Sequence, residues 1–248
     1  MPLPRTRNLI CLITDRRRLT NPPIADGRSP IADRRWPMAD GRSPIAEEDI
    51  VELVGAAARA GVDLIQIRER DLEAGPLTAL VRRSVAVSRG TAAKILVNDR
   101  LDVALAAGAH GVHLRGDSID VRRIREIAPP NFLVGRSVHD VEEATAAARA
   151  GGLDYLILGT LFPTVSKEPA RRLLTMTGLA AVSATSSIPV LAIGGITPER
   201  AEDVVRMGAA GIAAIGLFLP PTGVSADRHL QARVTELRRV FDTCGAVP

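Results

Sequence analysis

KILVNDRLDVALAAGAHGVHL, residues 94–114, is the stretch from which the rest of the chain can be read. KILV (94–97) is a short apolar run, residues 101–107 form a longer alanine-rich amphipathic segment, and GVHL (111–114) is apolar again. Apolar runs without alternation belong to strands buried on both faces, as in a parallel sheet. Two such runs joined by a helix-length segment make a βαβ unit. The junction Ala107-Gly108-Ala109-His110 puts glycine at the helix end, where a C-cap belongs, and the same type recurs as Ala60-Gly61-Val62-Asp63.

Working outward, the pattern repeats. LICLIT (9–14) precedes a helix over about 47–60, DLIQI (63–67) one over 77–88, and GVHL one over 120–127. FLVG (132–135) leads to 140–150, DYLILG (154–159) to 176–186, PVLAIGG (189–195) to 198–207, and GIAAIGLF (211–218) to 227–241. Eight such units predict an α/β fold, a (βα)8 TIM barrel, as one domain over residues 1–248. A doubly wound open sheet fits less well, because no G-x-G-x-x-G follows an early strand.

One segment breaks the pattern. PIADGRS, PIADRRW, PMADGRS and PIAEEDI follow one another from Pro23, a seven-residue repeat with proline in every unit. Proline at that spacing rules out a coiled coil. Residues 16–46 are therefore expected to be an insertion after strand 1, disordered or loosely polyproline-like, from which a lid over the barrel mouth is geometrically allowed.

Composition narrows the function. Hydrophobic residues are 46% and aromatics 2%, so the core is built from Val, Leu, Ile and Ala, and the stacking platforms of nucleic-acid binders are not available. Lys plus Arg is 32 against 28 acids, a formal +4 and too mild to demand a polyanion. Two cysteines at opposite ends of the chain suit a reducing cytoplasm, and no apolar run approaches a membrane span. The expected partners are small phosphorylated substrates, with no nucleic acid and no membrane; a homo-oligomer is compatible with the sequence.

In a barrel the active site lies at the C-terminal strand ends. Gln66-x-Arg68-x-Arg70 would point three donors one way if strand 2 continues, making an anion clamp; the competing reading pairs both arginines with Glu69 or Asp71. Gly194-Gly195 and Gly216, after strands 7 and 8, suit a second phosphate, with Thr164, Ser166 and Lys167 from strand 6. Asp99 and Asp117 are oxygen donors suited to Mg²⁺, although Asp99 is also a good N-cap for the helix at Leu101. His110-x-x-His113 enters a strand without a third ligand, so zinc is not expected. His139, in GRSVHD (135–140), is a candidate proton carrier.

LITD (12–15), QIRERD (66–71), VNDRLDVALAAGAHGVHL (97–114), GRSVHDVEEA (135–144), DYLILGTLFPTVSK (154–167) and PVLAIGGITPER (189–200), in this order, resemble the thiamine phosphate synthase and TenI family. The resemblance implies a TIM barrel that joins hydroxymethylpyrimidine diphosphate to thiazole phosphate and releases pyrophosphate with Mg²⁺. It implies that Gln66, Arg68, Asn98, Ser137 and Lys167 contact the pyrimidine diphosphate, that Asp99 binds magnesium, and that Thr164, Ser166 and Gly195 serve the thiazole phosphate. Arg68, Arg70, Lys167 and Mg²⁺ would stabilise the leaving charge.

The chain departs from the family pattern at several points. Arg70 stands where lysine is usual, and Arg115-Gly116-Asp117-Ser118 replaces glycine-glutamine-x-aspartate, which shifts the second carboxylate by one position. EPARRLLTMTG replaces the usual loop after Lys167. GRSVH and IRER resemble the TenI branch, which includes a thiazole tautomerase, with His139 as its shuttle; a non-catalytic regulator that binds thiazole phosphate is a third reading.

Overall fold

The computed structural model describes Leu3 and residues 8–19, 44–164 and 173–244. Eight strands form a closed, all-parallel barrel in sequence order: β1 (Leu9–Ile13), β2 (Leu64–Ile67), β3 (Lys94–Asn98), β4 (Gly111–Leu114), β5 (Leu133–Val138), β6 (Tyr155–Leu158), β7 (Val190–Ile193) and β8 (Gly211–Ala214). Pairing of Leu9 with Gly211 and of Cys11 with Ala213 closes the ring. A helix follows each strand: α2 (Pro44–Ala60), α3 (Ala74–Val87), α4 (Leu101–Ala106), α5 (Val121–Ile127), α6 (Val141–Ala150), α7 (Met176–Thr185), α8 (Pro198–Arg206) and α9 (Ala226–Thr243). A single turn, α1 (Arg16–Leu19), stands between β1 and α2. This is the TIM barrel expected from the apolar runs.

The period-two side-chain rule divides the apolar residues into two cores. Leu9, Cys11, Leu64, Leu96, Leu133, Tyr155, Ile157 and Leu191 fill the barrel interior. Ile10, Leu12, Ile65, Val97, Val112, Val134 and Leu156 point outward against the helices. Helix ends feed the strands as the glycine junctions implied. Gly108 has φ 68°, its N–H donates to Leu105 O (3.2 Å), and the Ala109 N–H donates to Ala104 O (2.9 Å). This bond pair is a Schellman ending, and the equivalent pair closes α2 at Gly61.

The acidic or imidazole residue after each junction has a structural task. Asp63 accepts the Ile10 N–H (2.8 Å), His110 Nδ1 accepts the Ile95 N–H (3.0 Å), and Asp154 accepts the Val134 N–H (2.6 Å). Each ties the start of one strand to the preceding strand. Arg238 of α9 and Arg125 of α5 bind Asp63 and Asp154, each at 2.6 Å.

Several boundaries differ from expectation, among them β5, which runs on to Val138. α2 starts at Pro44, inside the last repeat unit, because proline in the first turn removes only an N–H that has no intrahelical partner anyway. The same reason lets α3 start at Ala74, ahead of Pro76. β8 ends at Ala214, and Gly216–Phe218 form a 3-10 turn. The insertion expected over residues 16–46 is thus helical at both edges, in α1 and the start of α2. Residues 20–43, with the expected disorder and lid, lie outside the described residues.

Candidate active site

Gln66, Asn98, His113 and Ser137 continue the inward-facing rows of β2 to β5 and make one side of the barrel mouth polar. Gln66 is 1% exposed and its Nε2 has no partner among the described residues, a buried donor left for a ligand.

Behind it, the ends of β1 and β2 are knotted together. Thr14 Oγ1 donates to Glu69 (2.6 Å) and accepts the Arg68 N–H (3.0 Å), while the Arg16 N–H donates to the same carboxylate (3.1 Å). Asp71 is held by Arg16 (2.5 Å) and Arg17 (3.0 Å). Burial pushes the Glu69 carboxyl above its usual range, against the pull of Thr14 and the Arg16 N–H. Both carboxylates that were candidates to neutralise Arg68 and Arg70 are therefore committed to α1 and Thr14. Among the described residues neither arginine has a carboxylate within 4.0 Å. Burial and then the neighbouring Arg70 pull the Arg68 guanidinium down, with Asp15 and Glu69 opposing. The expected row of three donors is corrected, however. β2 ends at Ile67, so Arg68 is half-buried at the strand end and Arg70 sits exposed in the following turn.

Asp99 follows β3 with φ 61°, in a three-residue turn closed by the Arg100 N–H to Asn98 O (2.8 Å) and pinned by its own N–H to His113 O (2.9 Å). Positive φ at a non-glycine residue is costly, and such positions cluster at functional sites. Asp99 does not cap α4: the cap position is Arg100, which makes no side-chain capping bond. Its carboxylate instead accepts from the Ser118 hydroxyl and faces Arg115 (3.4 Å), whose other nitrogen binds Asp117 (2.6 Å). Asp117 is mostly exposed, and one guanidinium joins the two aspartates. Among the described residues no group of three or more His, Cys, Asp or Glu could hold a metal ion.

His113 is buried between two hydroxyls, with Nδ1 3.0 Å from Tyr155 Oη and Nε2 2.8 Å from Ser137 Oγ. Burial lowers its pKa to about 3, so the ring is neutral. Tyr155 fits because residue 135 is glycine: a Cβ there would lie 2.0 Å from Tyr155 Cζ. His139 is paired with Glu143. Its Nδ1 (3.1 Å) and its N–H (2.8 Å) both meet Glu143 Oε2, beside the Asp140 cap of α6.

The opposite side of the mouth is built from backbone. The Leu161 and Phe162 N–H groups donate to Ile193 O (3.0 Å) and Gly194 O (3.1 Å), zipping the β6 and β7 loops together. Gly194 and Gly195 have φ 105° and 61°. Arg200 donates to Gly195 O (2.7 Å) and stacks on Phe162 (4.6 Å). Thr197 caps α8, whose N-terminus opens beside this loop and suits an anion. Thr160 is buried with Oγ1 unpartnered. After β8, Arg18 comes within 3.8 Å of where a Cβ on Gly216 would stand. Thr164 is half-buried at the start of the β6 loop; Ser166 and Lys167 lie outside the described residues.

The structure thus brings Gln66, Arg68, Asn98, Ser137 and Asp99 to one side of the mouth, and Gly195 and Gly216 to the other. Tyr155, Arg18, Arg200 and Thr160 were missed by sequence reasoning. Thr14 and Glu69 were visible there as polar residues, but their bond arises only from the pairing of Ile13 with Gln66.

Comparison with known proteins identifies the family. A family profile described as thiamine monophosphate synthase matches residues 38–218. A thiamine-phosphate synthase of Roseiflexus castenholzii is 39% identical over 217 residues, 86% of this chain and 91% of its own length. One of Methanoregula boonei is 38% identical over 191 residues, 77% of this chain and 88% of its own. The solved thiamine phosphate pyrophosphorylase of Pyrococcus furiosus superposes with a TM-score of 0.72 at 29% identity, covering 97% of this chain and 98% of that one. With most of its length matched at this identity, the chain belongs to the thiamine monophosphate synthase family.

Proposed function

We propose that this protein is a thiamine-phosphate synthase, joining hydroxymethylpyrimidine diphosphate to thiazole phosphate and releasing pyrophosphate. The observation that carries this reading is the half-buried Arg68, which among the described residues has no carboxylate within 4.0 Å because Glu69 and Asp71 are taken by Thr14, Arg16 and Arg17. Retaining a desolvated, unpaired cation is costly unless an anion arrives to meet it.

The diphosphate would sit against Arg68 and Ser137, with Arg70 at its exposed edge and Asn98 and the Gln66 Nε2 facing the pyrimidine end. Bond cleavage leaves charge on the diphosphate, and preorganised guanidinium donors hold that charge without reorganising. The thiazole phosphate would meet the Gly194-Gly195 loop, the start of α8 and Gly216, with Thr164 and Ser166 in the family's positions, while Lys167 in that pattern serves the diphosphate. Because the thiazole nitrogen brings its own lone pair, no general base is required and orientation across the mouth supplies most of the effect.

The oxygen donors Asp99 and Asp117 fit Mg²⁺ in kind, since this ion is commonly held by one or two carboxylates plus substrate phosphate. When bound it would neutralise diphosphate charge. Arg115 must release at least Asp99 for that to happen. Cys11 and Cys244 are free thiols, in keeping with a reducing cytoplasm, and among the described residues no helix is long and apolar enough to cross a membrane.

The test is product formation from the two substrates, with and without Mg²⁺. Metal-dependent thiamine phosphate is expected, and Arg68→Ala should lower kcat/KM by about a hundredfold or more. Absence of product, with isomerisation of thiazole carboxylate phosphate that His139→Ala abolishes, would replace this reading by the tautomerase one.

A further inference from the structure

We infer that Tyr155 and His113 act as a positioning relay that fixes the Ser137 hydroxyl as a hydrogen-bond donor toward the barrel mouth. The inference rests on the synthase reading, in which Ser137 meets the diphosphate.

The direction of each bond follows from counting protons. Tyr155 is fully buried, and His113 Nδ1 is the only polar partner its hydroxyl has among the described residues. A buried phenol must place its one proton on an acceptor, because an orphaned donor in the interior forfeits the hydrogen bond it had in water. Tyr155 O–H therefore donates to Nδ1, which must carry no proton. A neutral imidazole has one N–H, so it lies on Nε2 and donates across 2.8 Å to Ser137 Oγ. With its oxygen accepting that bond, Ser137 keeps its own proton for a third group. Among the described residues no such group is present, since His113 is its only side-chain partner.

The alternative tautomer would reverse everything. With the proton on Nδ1, Nε2 would accept from Ser137, and the serine would offer an approaching phosphate only lone pairs. A doubly protonated ring would leave the Tyr155 proton with no acceptor among the described residues, so the geometry fits the neutral ring. Gly135 belongs to the same device, because any Cβ there would stand 2.5 Å from Tyr155 Oη and displace the phenol.

The experiment combines the ¹⁵N spectrum of the His113 ring with calorimetry using inorganic pyrophosphate at constant Mg²⁺. The wild-type ring should show the Nε2–H tautomer, and Tyr155→Phe, which keeps the ring and removes the donor, should shift it toward Nδ1–H. Tyr155→Phe and Ser137→Ala should each weaken pyrophosphate binding by about tenfold, the loss expected for one hydrogen bond to a charged group. Since both remove the same bond, the double variant should be no worse than Ser137→Ala alone. An Nδ1–H tautomer in the wild type, or losses that add in the double variant, would overturn the relay while leaving the synthase reading intact. Failure of the wild type to bind pyrophosphate would sink the synthase reading and Ser137's role with it. Should Tyr155→Phe not fold, the wild-type spectrum still decides the proton's place.

Discussion

His113 makes the barrel interior sensitive to acid. Its pKa falls from an ordinary 6.5 to about 3 on folding because burial penalises the charged ring. Between those values the unfolded chain binds a proton that the folded chain refuses, so stability is full above about pH 6.5 and declines as pH falls toward 3. The slope from one such group is about 1.4 kcal/mol per pH unit. Urea unfolding at several pH values between 7 and 4 should therefore show His113→Gln less stable at neutrality but flatter toward acid; parallel profiles would refute this account. A second residue-scale prediction concerns Arg115. Its guanidinium lies 3.4 Å from Asp99 and 2.6 Å from Asp117, so it competes with any cation for them. Mn²⁺ titration followed by electron spin resonance should find Arg115→Gln binding about tenfold more tightly, near 1.4 kcal/mol of relieved competition; equal affinities would mean that the bridge imposes no barrier. At this scale the sequence was informative about residue type and strand-end position, which is why Gln66, Arg68, Asn98 and Ser137 emerge together. It was silent on partner choice. Among the described residues Arg68 has no carboxylate partner and Glu69 is taken, because Thr14 and Arg16 arrive from the end of β1 and from α1, more than fifty residues earlier, a matter of register rather than local pattern.

Among the elements, the helix-to-strand junctions are the most legible and the helix starts the least. Gly108 closes α4 with φ 68°, and nothing lies within 4 Å of where its Cβ would be. Gly108→Ala should thus cost about 1–2 kcal/mol through backbone strain alone, without steric repair. A denaturation midpoint shift with unchanged m-value would check this; no shift would mean that the junction tolerates another conformation. Sequence reading started α2 and α3 too late because it treated proline as a breaker wherever it fell, whereas Pro44 and Pro76 stand in first turns where no backbone bond is lost. Whether β2 continued through Arg70 was left open by the sequence, since alternating polar residues cannot reveal where inter-strand bonding stops. The strand in fact ends where Glu69 turns back to Thr14.

Across the whole molecule, closure of the ring joins the first strand to the last helix. Arg238 of α9 donates to Asn8 O (2.5 Å), Gly61 O (3.0 Å) and Asp63 (2.6 Å), and Asp63 in turn accepts the Ile10 N–H (2.8 Å). One guanidinium near the end of the chain thereby holds the entry to β1, the end of α2 and the start of β2. Eight apolar runs were enough to predict the barrel, because parallel strands buried on both faces admit few other arrangements. They could not predict this clasp, whose partners are separated by as many as 230 residues. Its weight follows from burial, since Asp63 is 5% exposed and loses the Arg238 guanidinium when that residue is removed. Breaking a buried pair from one side costs about 3–5 kcal/mol. For a chain of this length each kcal/mol lowers Tm by about 2–4 °C, so Arg238→Ala should melt roughly 6–20 °C below the parent. Restoring neutrality without the bond, as Arg238→Ala with Asp63→Asn, should recover part of that loss, because the amide can still accept the Ile10 N–H and buries no charge. A double variant no better than Arg238→Ala would show that the arginine acts through its carbonyl contacts to Asn8 and Gly61 rather than through charge.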